Sequence, residues 1–353
     1  MVVAAYRDWR RRRGVAGSVG TVAAFAVLAT VVVVVVMPTT LRPQQGASAA
    51  MAAPRGHVRP AVASTRHGAP TRQPVGASPA TSGTGPPYDV GTTSIRLVDP
   101  SRSTPARGDV PAVSGRVLVT DLYLPLGATA ARPLVVFAHG WNSDPGVYAT
   151  LLDQWATAGF IVAAPIFPDS TDLYPGSPVS DYADQASDVS FVITSLLHDD
   201  ALAIDPTRVA VAGHSDGGTD VALLALDPTY ADPRVRAYLS LSGELPSGVA
   251  PYTVAPSRVP LLVAVGTDDE YGLYPRATAV FQTSQAATKA MLIEEGGDHL
   301  GSFLDATPAA TAMRANTTRF LELALEPRPP TSAAVNAAFE QPSEPGISVV
   351  AAP

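Results

Sequence analysis

The sequence of 353 residues contains no cysteine, and only one of its 24 basic residues, Lys289, is a lysine. Without cysteine there is no disulfide framework, no thiolate metal site and no cysteine nucleophile, and the redox compartment stays open. Charge is also sparse. Charged residues make up 16% and the net charge is -7, which gives no indication of a nucleic-acid partner. The hydrophobic fraction of 46% is nevertheless enough for a sizeable core.

The N-terminus departs from this sparse charge. Four consecutive arginines, Arg10–Arg13, precede residues 14–37, which carry no charge. An uncharged apolar stretch of about 18 or more residues can cross a bilayer, whereas the apolar core of a signal peptide has only about 7–15. A small-x-small pattern at Ala47–Ala49 keeps cleavage open as the alternative. In both cases residues 1–13 stay cytoplasmic and the remainder is extracytoplasmic, either anchored in the membrane or secreted.

Two further segments lack the periodicity of folded structure. Residues 38–87 are rich in Ala, Pro, Gly, Ser and Thr, which predicts a disordered tether, and residues 327–353 predict a similar disordered tail. Residues 88–326 alternate strand and helix patterns and are predicted to form one catalytic domain.

The patterns within this domain predict a mixed sheet. Residues 93–98 and 116–123 alternate apolar and polar side chains, as half-buried antiparallel strands do. Residues 133–138 form a continuous apolar run, as a parallel strand covered on both faces requires. The expected class is α/β, with a mostly parallel central sheet, two N-terminal antiparallel strands and helices on both faces. The other predicted strands are 160–165, 208–212, 235–241, 259–265 and 290–293, and the predicted helices are 148–158, 182–197, 217–226 and 311–325.

The strongest chemical signal is Gly213-His214-Ser215-Asp216-Gly217, which follows an apolar strand and opens a helix. A nucleophilic serine in this context lies on a sharp turn, with its hydroxyl projecting above the sheet. Strand and helix then pass very close to each other, so the flanking positions tolerate almost no side chain. Ser215 is the candidate nucleophile.

A serine hydroxyl needs a base within hydrogen-bond reach, and His299 is the candidate because it follows the last predicted strand in a Gly-Gly-Asp loop. Asp269 is the candidate acid, since Gly266 turns the chain out of a strand and a residue three positions later can point back across its end. Asp268 is the second choice and Glu244 a less favoured substitute. The chain order serine, acid, histidine is that of α/β-hydrolases.

Two backbone N–H groups are expected to stabilise the oxyanion. One belongs to Asp216, directly after the nucleophile, and the other to Trp141 or, less favoured, to Gly140. His139 is predicted to orient this loop, and His214 to pack beside the turn that carries Ser215.

These motifs make the sequence resemble the α/β-hydrolase superfamily. Within it, the chain is similar to the branch of dienelactone-hydrolase-like proteins, chlorophyllase-like esterases, platelet-activating-factor acetylhydrolases and cutinase-type esterases. The resemblance spans residues 88–325 and implies ester hydrolysis through an acyl-enzyme, without a metal or other cofactor. Ser215 replaces the cysteine of dienelactone hydrolases, and Asp216 replaces the methionine usual in cutinase-type enzymes. The segment after Gly243 is short, so no large cap domain is expected.

The predicted function is therefore an exported serine esterase acting on a small-molecule, lipid or polymer ester. A serine peptidase of the same fold is a second interpretation, and a surface-anchored binding protein on a catalytically inactive hydrolase scaffold is a third. The sequence carries no signal for an oligomeric state.

Overall fold

The computed structural model describes residues 87–174, 176, 178–249, 253–326, 331–339 and 346–351. The predicted basic N-terminus, the membrane or signal segment and nearly all of the predicted tether lie outside these residues. Within the part of the chain that the structure describes, no helix is both long and apolar enough to span a membrane.

The described strands form one mixed sheet in the order β1-β2-β4-β3-β5-β6-β7-β8-β9. The first two strands pair antiparallel, and β2 also runs antiparallel to β4. In the order β4-β3-β5-β6-β7-β8, each strand runs parallel to the next, and β9 pairs antiparallel with β8. This confirms the predicted fold class. The strands are β1 Val90–Asp99, β2 Arg116–Pro125, β3 Arg132–Ala138, β4 Ile161–Pro165, β5 Ile204–His214, β6 Val235–Leu241, β7 Leu261–Gly266, β8 Lys289–Glu294 and β9 Ile347–Ala351.

Helices cover both faces of this sheet, as the sequence predicts. A short 3-10 helix, Pro145–Tyr148, follows β3 and leads directly into the first α-helix. The α-helices are α1 Ala149–Thr157, α2 Tyr182–Leu197, α3 Asp216–Leu226, α4 Leu273–Thr283, α5 Gly301–Leu304, α6 Pro308–Ala324 and α7 Ser332–Phe339.

Alternating side chains of the parallel strands enter two separate hydrophobic cores. In β3, Leu134 and Val136 join the core beneath α2, α3 and α4, whereas Val135 and Phe137 join the core beneath α1 and α6. All four side chains are fully buried because helices lie on both sides of the strand. This double coverage explains the unbroken apolar run in the sequence.

The C-terminal segment differs from the prediction. Residues 327–353 are predicted to be a disordered tail, but α7 and β9 lie within them, and β9 pairs antiparallel with β8. Val335 and Ile347 are buried in the core that α1 and α6 cover. A five-residue strand is stable only with a partner, and its partner is distant in sequence, so local composition does not reveal it. The folded domain therefore extends beyond residue 326.

The connections at the carboxyl ends of the parallel strands leave room for a site. The described residues between β6 and β7 contain no helix or strand, which agrees with the prediction that no large cap domain is inserted there. The longer connection between β4 and α2 runs along the same end of the sheet. Asn142 N, in the loop after β3, donates to Ser170 O in this connection at 2.6 Å, which ties the two loops together.

A buried ionic network fixes this connection to the sheet. Arg116, at the start of β2, is fully buried and donates through Nε to Asp188 at 2.8 Å and through Nη1 to Asp169 at 2.6 Å. Asp188 also accepts from Arg102 at 2.6 Å. The Arg116 guanidinium thus joins strand β2 to helix α2 and to the β4–α2 connection.

Replacing Arg116 with alanine should lower the free energy of unfolding by about 3–5 kcal/mol, because it leaves the buried carboxylate of Asp169 without its ion-pair partner and that of Asp188 with Arg102 alone. Arg276→Ala is the matched control. Its ion pair with Glu244 is exposed, so its loss should cost at most about 1 kcal/mol. Denaturant unfolding of both variants measures the two values. Equal losses would contradict the account of this network.

Candidate active site

Ser215 lies in a strained turn between β5 and α3. Its backbone has φ 59° and ψ -121°, a conformation that side-chain-bearing residues rarely adopt. Neighbouring structure enforces it: Ser215 N donates to Leu241 O at 2.9 Å, and Thr219 N donates to Ser215 O at 3.0 Å. The turn places Ser215 at the carboxyl ends of the parallel strands.

The glycines around this turn are required by close backbone contacts. A Cβ atom on Gly213 would lie 2.2 Å from the carbonyl oxygen of Gly217, and one on Gly217 would lie 2.1 Å from the carbonyl oxygen of Ala138. Both contacts are with backbone, which cannot move aside as a flexible side chain does. The Gly-x-Ser-x-Gly pattern is therefore a packing requirement of β3, β5 and α3.

His299 is held by Asp269. Nδ1 of His299 lies 2.7 Å from Oδ2 of Asp269, and the Asp269 side chain is fully buried. A carboxylate only accepts, so Nδ1 carries the proton and, in the neutral ring, Nε2 is left as an acceptor. Burial by itself raises the pKa of Asp269, but the hydrogen bonds from His299 and from Tyr271 N hold it below its ordinary value.

The structure brings Asp269 to the His299 ring, and not the two alternative acids. Asp268 is exposed at the neighbouring position. Glu244 lies 2.7 Å from Nη1 of Arg276 in an ion pair. The carboxylate of the adjacent Glu270 contacts the backbone of His299 and not its ring, because it accepts from His299 N at 3.1 Å.

Ser215 and His299 line one cavity of about 360 Å³. Trp141, Asp216 and Tyr271 also line it, and the Tyr271 ring packs edge-on against His299 with centroids 4.6 Å apart. The Ser215 hydroxyl forms no hydrogen bond with any described group. Catalytic hydrogen bonds commonly tighten only when substrate binds.

The two residues whose backbone N–H groups are predicted for the oxyanion site line the same cavity as Ser215. Asp216 is the first residue of α3, where backbone N–H groups point out of the helix and favour negative charge. Trp141 follows β3 and lines the cavity. Gly140 N is already engaged, because it donates to the Tyr148 hydroxyl at 3.2 Å. The geometry therefore favours Trp141 over Gly140.

The Asp216 carboxylate is paired with two hydroxyl groups. It accepts from the hydroxyl of Ser180 and, at 3.4 Å, from that of Tyr182. Burial raises the pKa of Asp216 even though both hydrogen bonds act in the opposite direction. Sequence reasoning missed Ser180 and Tyr182, since no motif marks them and only the fold brings the start of α2 to the serine turn.

His139 has the orienting contacts that the sequence predicts. It is fully buried, its Nδ1 lies 2.8 Å from Gly140 O, and its Nε2 accepts from Phe167 N at 3.0 Å. It therefore joins the loop after β3 to the loop after β4. Burial lowers the pKa of His139 to about 4.

His214, the last residue of β5, packs against His299. Its ring centroid lies 4.5 Å from that of His299, and its Nε2 lies 2.8 Å from the His299 carbonyl oxygen. Burial, followed by the proximity of His299, lowers the pKa of His214 to about 3. Its ring is therefore neutral near pH 7.

A mixed, mostly parallel sheet with a serine turn after β5 and a histidine after β8 defines an α/β-hydrolase fold. Residues 123–243 match the chlorophyllase family model. No curated protein matches the chain.

A solved structure supports the same fold. The chain is similar to a ferulic acid esterase from Streptomyces cinnamoneus, with a TM-score of 0.57 and 20% sequence identity, over 77% of this chain and 98% of that one. Identity at this level is evidence for the fold alone. The family match and the shared fold both support the α/β-hydrolase superfamily.

The depressed pKa of His139 predicts a specific pH effect on stability. Between about pH 6.5 and pH 4 the unfolded chain takes up a proton at this ring and the folded chain does not. The stability that His139 contributes is therefore present above pH 6.5 and decreases as the pH falls.

The test compares wild type with His139→Asn, which isolates this histidine from other titrating groups. The difference in free energy of unfolding between the two proteins should shrink from pH 7 to pH 4, as followed by urea denaturation at each pH. A difference that stays constant over this range would contradict a neutral buried ring.

Proposed function

We propose that this protein is a serine hydrolase that cleaves carboxylic esters, with Ser215 as nucleophile, His299 as general base and Asp269 as its orienting acid. The observation that carries the proposal is the His299–Asp269 hydrogen bond of 2.7 Å beside the cavity that Ser215 lines. The match of residues 123–243 to the chlorophyllase family model supports an ester hydrolase, and the similar solved structure supports the fold that carries such a site.

The reaction would proceed in two halves. Ser215 Oγ attacks the ester carbonyl carbon while its proton passes to Nε2 of His299, and the alcohol then leaves with that proton. In the second half, water gives a proton to His299 and attacks the acyl-enzyme. The carboxylic acid leaves and the Ser215 hydroxyl is restored. Asp269 keeps the ring in the required tautomer and stabilises the imidazolium as it forms.

The negative charge on the carbonyl oxygen would be stabilised by the N–H groups of Asp216 and Trp141. Such donors act without reorganisation because they belong to the backbone. An Asp216 carboxylate that faced the carbonyl oxygen would repel this negative charge. Its hydrogen bonds to Ser180 and Tyr182 hold it towards α2, which reduces this conflict.

The proposal predicts different outcomes for two adjacent aspartates. Asp269→Asn should lower kcat for p-nitrophenyl acetate by roughly 10³–10⁴-fold, because the amide favours the wrong histidine tautomer. Asp268→Asn is the matched control and should keep nearly full activity, since Asp268 is exposed. Steady-state kinetics of the full chain, with Ser215→Ala as the inactive reference, measure both.

A panel of model substrates distinguishes an esterase from a peptidase and from a binding protein. It contains p-nitrophenyl esters of increasing chain length, methyl ferulate and the p-nitroanilides of the same acids. Turnover of the anilides but not of the esters would favour a peptidase. A folded protein that turns over neither would contradict the enzyme and favour a binding protein.

We further propose that the hydrolase domain is exported. The run Arg10–Arg13, followed by the uncharged residues 14–37, supports an orientation with the N-terminus in the cytoplasm and the hydrolase domain outside it. Protease added to intact cells should degrade the domain, and N-terminal sequencing should separate an uncleaved anchor from cleavage after Ala49. Full protection from protease, lost only on cell lysis, would contradict export.

A further inference from the structure

Three hydrogen bonds connect the loop after β3 with the loop that carries His299. Gly140 N lies 3.2 Å from the Tyr148 hydroxyl, the hydroxyl lies 3.1 Å from Nδ1 of His214, and Nε2 of His214 lies 2.8 Å from the His299 carbonyl oxygen. Neither Tyr148 nor His214 has a part in the reaction steps proposed above.

The direction of every hydrogen bond in this series is fixed. The His299 carbonyl can only accept, so Nε2 of His214 carries the proton. In the neutral ring Nδ1 must then accept, and the Tyr148 hydroxyl is its donor. The oxygen of that hydroxyl in turn accepts from Gly140 N–H. One tautomer of His214 and one orientation of the Tyr148 hydroxyl satisfy all three bonds.

The surroundings leave these two side chains little freedom. Tyr148 is 2% exposed and His214 is 1% exposed. The His214 ring is enclosed by Tyr148, His299 and Phe303, with ring centroids 4.5–5.3 Å away. Loss of one of these hydrogen bonds would therefore leave a buried donor or acceptor without its protein partner, which is costly.

Both ends of the series lie at the reacting groups. A Cβ atom on Gly140 would be 3.1 Å from the Cβ of Ser215, so this backbone borders the nucleophile directly. The next residue, Trp141, carries one of the two proposed oxyanion N–H groups. The other end is the backbone of His299, the proposed base.

We propose that Tyr148 and His214 are positioning residues that hold the Trp141 loop and the His299 loop at a fixed distance from each other. The inference rests on the proposed function, because it assigns both loops to the same reaction. Its consequence is that the Tyr148 hydroxyl contributes to the rate of the chemical step and not to substrate affinity, since small displacements of reacting groups are costly in rate.

The test removes one oxygen atom at two equally buried tyrosines. Tyr148→Phe should lower kcat for p-nitrophenyl acetate about tenfold or more while KM changes by less than about twofold. Tyr238→Phe is the matched control. Tyr238 is also 2% exposed but lies in the other hydrophobic core, away from the cavity, so kcat should stay at the wild-type value.

Thermal unfolding of both variants separates positioning from a loss of stability. Similar melting temperatures with a kcat decrease in Tyr148→Phe alone would support the proposal. Wild-type kcat in Tyr148→Phe would overturn it, and so would equal kcat losses in both variants. A wild-type chain that hydrolyses no ester would instead contradict the proposed function.

A second measurement needs no variant. Long-range ¹H–¹⁵N correlation spectra of the wild-type histidine rings should show His214 protonated on Nε2 at neutral pH and His139 protonated on Nδ1. The opposite tautomer at His214 would overturn the series of hydrogen bonds even if Tyr148→Phe does not fold.

Discussion

The close approach of β3, β5 and α3 around Ser215 is the constraint on which the rest of the site depends. Glycine at positions 213 and 217 allows backbone to touch backbone, and between them Ser215 is held with a positive φ. Such strain persists only when surrounding structure enforces it. The parallel strands, with helices on both faces, hold the turn in this conformation and so fix the position of Ser215 at the cavity.

Around this turn, the electrostatic arrangement assigns different roles to chemically similar groups. Burial lowers the pKa of His139 and His214, and each connects two loops, whereas Nδ1 of His299 donates to a buried carboxylate. Likewise Asp269 is held ionised by its hydrogen bonds, while Asp216 is engaged by hydroxyl groups at the start of α2. Environment, and not residue type, distinguishes these side chains.

Features that depend on short stretches of sequence could be predicted. The serine turn, the parallel strands and the choice of Asp269 over Asp268 each follow from short stretches of chain. Contacts between distant residues could not be predicted in this way: Arg116 and Asp188 are 72 positions apart, and β9 needs β8 as its partner. Tyr148 was predicted only as the start of a helix, because its hydroxyl acquires a partner only when β3 and β5 lie side by side.

The most direct test of the central claim is covalent labelling of the full chain with a fluorophosphonate, followed by mass spectrometry of the digested protein. Such reagents modify a serine that a neighbouring base activates. The account predicts one label, on Ser215, with labelling greatly slowed in His299→Ala. Label on another serine, or none on a folded wild-type chain, would contradict it.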